Sequence, residues 1–418
     1  MDIELNGIKA LKGKVILPGD KSISHRALLT ASLSKGICKI QNLNRGQDVM
    51  ATLDAVKKLG ATVNQTKDSL ELQGFSNPIS AQINCQNSGT TMRLLCGILS
   101  GYEGHFVLKG DESLSKRPMD RVKKPLELMG AKINCNGNKS CVAPLEIFGR
   151  PLKGITYRLE IASAQVKSAI LFAGLRAKGA TTVIEDIPTR THTEDILKKA
   201  GAKLEISQSN GSKNITVYPG EVNPFTIEIP CDPSQGAFWI VAGLINPETD
   251  LEIPLFYMDN TRSYFLEVLK RSGANFLIKE DKILPSFQNL SPLTVKANEV
   301  PLVIDEIPIL AVAAAFIDGV SLFENVGELR VKETDRVLQI CELVTAMGAS
   351  GKTKDDNLYI SGSKFLRPFE FDPKGDHRIA MAAIIAGCAI KGLSKIKSVE
   401  CITISDTTFL KNLNELSK

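Results

Sequence analysis

LDAVKKLGATV, running from Leu53 to Val63, carries three structural signals in succession. Leu53, Val56 and Leu59 recur at helical spacing and therefore share one face. Gly60 follows, the residue best suited to a left-handed helix stop, and the chain then reads on as a strand. The same Gly-Ala ending returns at Gly130-Ala131, Gly201-Ala202, Gly273-Ala274 and Gly348-Ala349, at intervals of 70, 71, 72 and 75 residues. Strand-like stretches such as Lys132 to Cys135 and Lys203 to Ile206 come next. Fixed-period self-similarity of this kind marks repeated supersecondary units, and a sixth unit would end near residue 418.

A second helix recurs on the same period, at Ala27 to Leu33, Met92 to Leu99, Val166 to Leu175, Ala237 to Leu244, Ile309 to Phe316 and Ile379 to Ala389. These segments are apolar all round, so they are expected to be buried on nearly every side. The unit thus reads as strand, buried helix, strand, amphipathic helix, strand, strand. It predicts an α/β chain of six βαβαββ repeats grouped three and three. The expected domains are residues 17–230 and residues 1–16 plus 231–418, with a hinge near 13–19 and 224–232. Residues 2–17 read as strand, Gly-marked turn and strand, and are expected to complete the C-terminal domain.

Composition agrees. A 418-residue chain with 43% hydrophobic and 23% charged residues is a folded globular protein with more sequence than one core serves. The longest apolar run, Ile379 to Ile390, is twelve residues, against about 20 for a bilayer span. With no leader-like start, the chain is expected in the cytoplasm, and a monomer is expected. The net charge of +5 is too small for a nucleic-acid binder. Nine cysteines lack C-x-x-C spacing and are expected as free thiols, and the four histidines fall in no zinc pattern, so no metal is expected.

Polar chemistry collects where the buried helices begin: PGDKSISHR (Pro18 to Arg26), NSGTTMR (Asn87 to Arg93), ASAQVKS (Ala162 to Ser168), DPSQGA (Asp232 to Ala237), IDEIP (Ile304 to Pro308) and GDHR (Gly375 to Arg378). A helix N-terminus presents unpaired N–H groups and a partial positive charge, which suits phosphate and carboxylate. Ser, Thr, Asp and Asn also cap helices there, but capping does not account for Lys21, Arg26, Arg93, Lys167 and Arg378. Cations also occur in SKRPMDR (Ser115 to Arg121), TRTHTED (Thr189 to Asp195) and LRVKETDR (Leu329 to Arg336). Read as helix, the last places Lys332 and Arg336 on one face beside Glu333. Asp305, next to an apolar helix, is suited either to proton transfer or to capping.

PGDKSISHR, NSGTTMRLL, ASAQVKSAIL, LRVKETDR and GDHRIAM closely resemble the EPSP synthase family, and the similarity runs over nearly the whole chain. The resemblance implies a two-domain inside-out α/β barrel of three βαβαββ units per domain, with no metal or organic cofactor. It implies two small-molecule substrates, phosphoenolpyruvate and shikimate 3-phosphate. By position, Lys21, Ser22, Arg26, Ser163, Gln165, Arg190, Asp305 and Lys332 match the family's shikimate 3-phosphate ligands. Lys21, Gly89, Thr90, Arg117, Gln165, Glu333, Arg336 and Arg378 match its phosphoenolpyruvate ligands. Guanidinium groups suit such bidentate anion contacts. Glycine at 89, where some relatives carry a bulkier residue, implies inhibition by glyphosate. Ala164 departs from the double serine of one subclass, and Ile404 stands where some relatives have a phosphoenolpyruvate-binding lysine.

The chemistry implied is attack of the shikimate 5-hydroxyl on C2 of the enol with protonation of C3, then loss of phosphate and of a C3 proton. Asp305 is expected to handle the hydroxyl proton, with Glu333 and Lys21 at C3, and closure of two domains is expected to exclude water. One alternative is the sister enzyme acting on UDP-N-acetylglucosamine, but Glu112 stands where its catalytic cysteine would be, and Lys21-Ser22 replaces its Lys-Asn. The other is a non-catalytic binder of phosphorylated metabolites. Asp305 and Glu333 argue against it, since pure anion binding gains nothing from carboxylates.

Overall fold

The computed structural model describes residues 1–7, 10–66, 69–137, 140–259 and 261–417. The chain divides into one compact unit of residues 19–229 and another of residues 1–18 with 230–418, and passes between them twice.

Within residues 19–229, three buried helices alternate with three amphipathic ones. The buried set is α1 (Lys21–Ser32), α3 (Gly89–Ser100) and α5 (Ala164–Gly174), and the amphipathic set is α2 (Gln47–Lys58), α4 (Asp120–Leu128) and α6 (His192–Lys199). Three four-stranded sheets share one plan, a parallel edge pair followed by antiparallel neighbours. The second sheet runs Gln82–Asn84, Gly104–Lys109, Val142–Gly149, Lys132–Asn136, and the third Thr156–Arg158, Thr181–Glu185, Ser212–Val217, Leu204–Ser209. The first runs Thr226–Glu228, Ile37–Gln41, Ser69–Gln73, Thr62–Gln65. Its parallel strand therefore comes from the far end of this unit and not from the residues preceding α1, which corrects a purely sequential reading of the repeat.

In the other unit the buried helices are α7 (Pro233–Ile245), α9 (Ile307–Ala315) and α11 (His377–Ala389). Its amphipathic helices are α8 (Phe265–Arg271), α10 (Arg336–Ala346) and α12 (Phe409–Leu416). Strand Lys12–Lys14 runs parallel to Asp250–Pro254 and opens the fourth repeat's sheet, while Ile3–Asn6 pairs antiparallel with Leu393–Ile396 and takes the place of a closing strand in the sixth. The turn between these two N-terminal strands lies partly outside the described residues. No helix among the described residues is long and apolar enough to cross a membrane.

All five Gly-Ala stops adopt one geometry. Gly60, Gly130, Gly201, Gly273 and Gly348 have φ of 108°, 100°, 76°, 91° and 93°. The alanine N–H after each bonds back to the carbonyl of the residue five positions earlier, as in Ala61 to Val56 and Ala349 to Val344, both 3.0 Å. This is the bonding of a Schellman stop, in which a left-handed glycine satisfies the last helical carbonyls.

Two expectations are corrected by the structure. Cys135, in strand Lys132–Asn136, and Cys141, just before strand Val142–Gly149, form a disulfide, so not all cysteines are free. Lys332 and Glu333 are not helical: a short 3-10 turn, Gly327–Val331, precedes them and α10 begins only at Arg336. Asp335, which caps α10 by accepting from the Leu338 N–H at 3.0 Å, sets that start.

Candidate active site

In residues 19–229 the starts of α1, α3 and α5 carry most of the predicted ligands. Asp20, Ser88 and Ser163 cap these helices through side-chain oxygens. Ser163 is thus a cap as well as a candidate ligand. Lys21, first residue of α1, forms an ion pair with Asp48 in the first turn of α2. Ser22 accepts from the Arg190 guanidinium at 3.5 Å. Arg26 is nearly fully buried, its Nε on Thr193 Oγ1 at 2.7 Å, its Nη2 on Ser168 Oγ at 2.9 Å and its Nη1 on the Ser22 carbonyl at 3.0 Å. Lys21, Ser22, Arg26 and Arg190 accordingly form one neighbourhood.

A second neighbourhood lies at the start of α3. Gln165 donates to Thr90 Oγ1 at 2.9 Å and accepts from Arg93 Nη1 at 2.7 Å. Arg117 is held by Asn87 Oδ1 at 2.7 Å. A Cβ placed on Gly89 would lie 2.8 Å from Arg93 Nη1 and 3.5 Å from Arg117 Nη1. Glycine thus lets both guanidiniums close over the helix start. Lys167 does not join them. It is fully buried in ion pairs with Glu185 at 3.1 Å and Glu194 at 2.7 Å, so it has a structural explanation the sequence did not reveal. Burial pushes the Glu185 carboxyl above its ordinary pKa despite the Lys167 ammonium.

In the unit containing residues 230–418, Asp305, Glu333, Arg336 and Arg378 meet. Arg336 is buried, with Nε 2.7 Å from Asp376, Nη2 2.5 Å from Glu333 and Nη1 3.7 Å from Asp305. Burial opposes its charge, but the carboxylates of Asp376, Glu333 and Asp305 outweigh that, and its pKa stands raised. Arg378 lies 3.5 Å from the Asp305 carboxylate and donates to the Asp305 carbonyl at 3.1 Å. Asp305 stands one residue outside the cap position of α9, which is held by Glu306, whose side chain makes no capping bond. Lys332 sits half-buried beside Glu333 in the loop before α10.

Sequence reasoning missed Asp48, Thr193, Ser168 and Asp376, which hold the predicted cations. Asp376 stood inside the quoted GDHR segment. It both caps α11 and binds Arg336, whereas Asp48 lies on a different helix from Lys21 and carries no local signal.

A solved enolpyruvyl transferase, NikO from Streptomyces tendae, superposes with TM-score 0.80 over 99% of this chain and 96% of its own at 17% identity, a likeness of fold alone. EPSP synthase from Acinetobacter baumannii superposes with TM-score 0.83 and 36% identity, covering 99% of this chain and 98% of that one. The architecture is therefore the α/β fold of the enolpyruvyl transferases, built from repeated βαβ units. The profile of EPSP synthase (3-phosphoshikimate 1-carboxyvinyltransferase) matches residues 5–413. A 3-phosphoshikimate 1-carboxyvinyltransferase from Thermoanaerobacter sp. (strain X514) is 38% identical over 431 residues, with all of both chains covered. This chain belongs to the EPSP synthase family.

Proposed function

We infer that the chain transfers the enolpyruvyl group of phosphoenolpyruvate to the 5-hydroxyl of shikimate 3-phosphate, releasing phosphate and forming 5-enolpyruvylshikimate 3-phosphate. The observation that carries the residue assignment is the meeting of Asp305, Glu333, Arg336 and Arg378, brought together from three separate segments, each leading into its own helix. Carboxylates set against guanidiniums suit a reaction that binds anions and moves protons.

The shikimate 3-phosphate ligands are Lys21, Ser22, Arg26, Ser163, Gln165, Arg190, Asp305 and Lys332. The phosphoenolpyruvate ligands are Lys21, Gly89, Thr90, Arg117, Gln165, Glu333, Arg336 and Arg378. Asp305 takes the proton of the attacking hydroxyl. Glu333 and Lys21 serve C3, which gains a proton on addition and loses one as phosphate departs. The two substrates together bring about six negative charges, which buried cations must balance. The finer architecture proposed is the inside-out barrel, supported in the unit containing residues 230–418 by helices such as α9, buried at every residue, beside strands that alternate buried and partly exposed positions. The working form proposed is a cytoplasmic monomer.

Phosphate release measured with shikimate 3-phosphate and, in parallel, UDP-N-acetylglucosamine tests the activity: release only with the first is expected, and release with the second alone would overturn it. Glyphosate is expected to inhibit, because position 89 is glycine, as the family resemblance implies for sensitive members, and a side chain there would press on the Arg93 guanidinium. Undiminished turnover at high glyphosate would contradict that.

A further inference from the structure

One chain of hydrogen bonds among buried side chains joins α1 and α2 to the start of α3. His25 Nδ1 lies 2.7 Å from Thr52 Oγ1, which lies 2.6 Å from Thr91 Oγ1, and Thr91 donates to Ser88 Oγ at 2.7 Å. All four residues are fully buried. Ser88 Oγ also accepts the Thr91 backbone N–H at 3.1 Å, which makes it the cap of α3. The chain has a direction. His25 Nε2 has no hydrogen-bond partner among the described residues. A buried acceptor without a partner is tolerated better than a buried N–H, so the proton belongs on Nδ1. Nδ1–H then donates to Thr52, Thr52 to Thr91, and Thr91 to Ser88. Burial, followed by the Lys21 and Arg26 charges, holds the His25 pKa well below its ordinary value, so the ring stays neutral and keeps this pattern. The same cluster is tied to Lys21 through the helices: Lys21 stands four residues before His25 on α1, and it pairs with the carboxylate of Asp48, four residues before Thr52 on α2.

We propose that His25, Thr52 and Thr91 are positioning residues for phosphoenolpyruvate: their hydrogen-bond chain fixes the first turn of α3, and with it Gly89 and Thr90, relative to Lys21. The proposal rests on the assignment of Gly89, Thr90 and Lys21 to that substrate. The three side chains touch neither substrate. They set the direction of the N–H groups at the start of α3, and an anion held by such groups is sensitive to small misplacements.

The test is steady-state kinetics on Thr91→Val, which preserves shape and removes the hydroxyl, with each substrate varied in turn. KM for phosphoenolpyruvate is expected to rise by about tenfold, the loss of roughly one well-made hydrogen bond, with KM for shikimate 3-phosphate changed by less than about twofold. Thr91→Ser, which keeps the hydroxyl, is expected to restore the parent value. Thr52→Val interrupts the chain at its middle and gives the same reading should Thr91→Val fail to fold. An unchanged KM for phosphoenolpyruvate, an equal rise for both substrates, or a Thr91→Ser enzyme as impaired as Thr91→Val would overturn the proposal. Thr90→Val, at one of the assigned phosphoenolpyruvate ligands on which the proposal rests, separates the two levels of inference. If it leaves KM for phosphoenolpyruvate unchanged, the ligand assignment fails; if it raises KM while Thr91→Val does not, only the positioning role fails.

Discussion

Three carboxylates surround Arg336, and they are not equivalent. Asp376 is fully buried and also caps α11, so it is part of the scaffold. Asp305 and Glu333 keep 18% and 15% of their side-chain surface exposed, which leaves them reachable by a substrate. That difference fits the proposed roles, in which Asp376 orients the guanidinium and Asp305 and Glu333 exchange protons. Asp305→Asn and Glu333→Gln are each expected to lower kcat by roughly 100-fold to 10,000-fold, the usual worth of a positioned acid or base. Phosphate release and thermal unfolding, measured together, check this: near-parental turnover in either variant would remove that residue from the mechanism. Asp376→Ala should act on stability instead. It uncaps α11 and strips a buried guanidinium of its one fully buried carboxylate partner among the described residues, at a cost of about 3 to 5 kcal/mol by urea unfolding.

At the scale of elements, glycine does two different jobs. Gly273 ends α8 at φ 91°, and a Cβ added there would meet nothing within 4 Å, so only backbone conformation opposes a side chain. Gly273→Ala is expected to cost about 1 kcal/mol. Gly97 lies inside α3, where a Cβ would stand 2.2 Å from the Ala169 carbonyl oxygen of α5. Gly97→Ala must push the two helices apart, at more than about 3 kcal/mol. Comparable denaturation midpoints for the two variants would refute this division. The pattern at Gly60 and its four counterparts was legible in the sequence because a left-handed helix stop is a local requirement. The role of Gly97 was not, because what it avoids is a residue 72 positions away.

For the molecule as a whole, each unit buries charge that the proposed chemistry does not use. Lys167 with Glu185 and Glu194 fills this place in residues 19–229, and Arg262 with Asp232 and Glu306 does so in the other unit. Near the latter, burial pushes the Asp406 carboxyl up to about 6, against hydrogen bonds from Thr408 and Phe409. An acid whose pKa is raised on folding is bound to its proton more tightly in the folded state. Asp406 is therefore least costly below the unfolded value of about 3.9, and stability is lost as pH rises toward 6. Relative to Asp406→Asn, the parent protein is expected to gain about 2 kcal/mol as pH falls from 6 to 4, read from urea midpoints. A pH-independent difference would show that Asp406 does not titrate in this range.

The sequence alone determined the sixfold period, the buried and amphipathic helices, and the helix starts where chemistry gathers, because each follows from local spacing, capping and the conformation of single residues. Only the tertiary structure decided which distant strand opens the first and fourth sheets, that Lys167 is locked away with Glu185 and Glu194, and that Cys135 meets Cys141. It likewise decided that Asp48 and Asp376 hold Lys21 and Arg336. Pairing across a sheet and the partnering of buried charges depend on groups far apart along the chain, and no local pattern of residue types encodes which of them will meet.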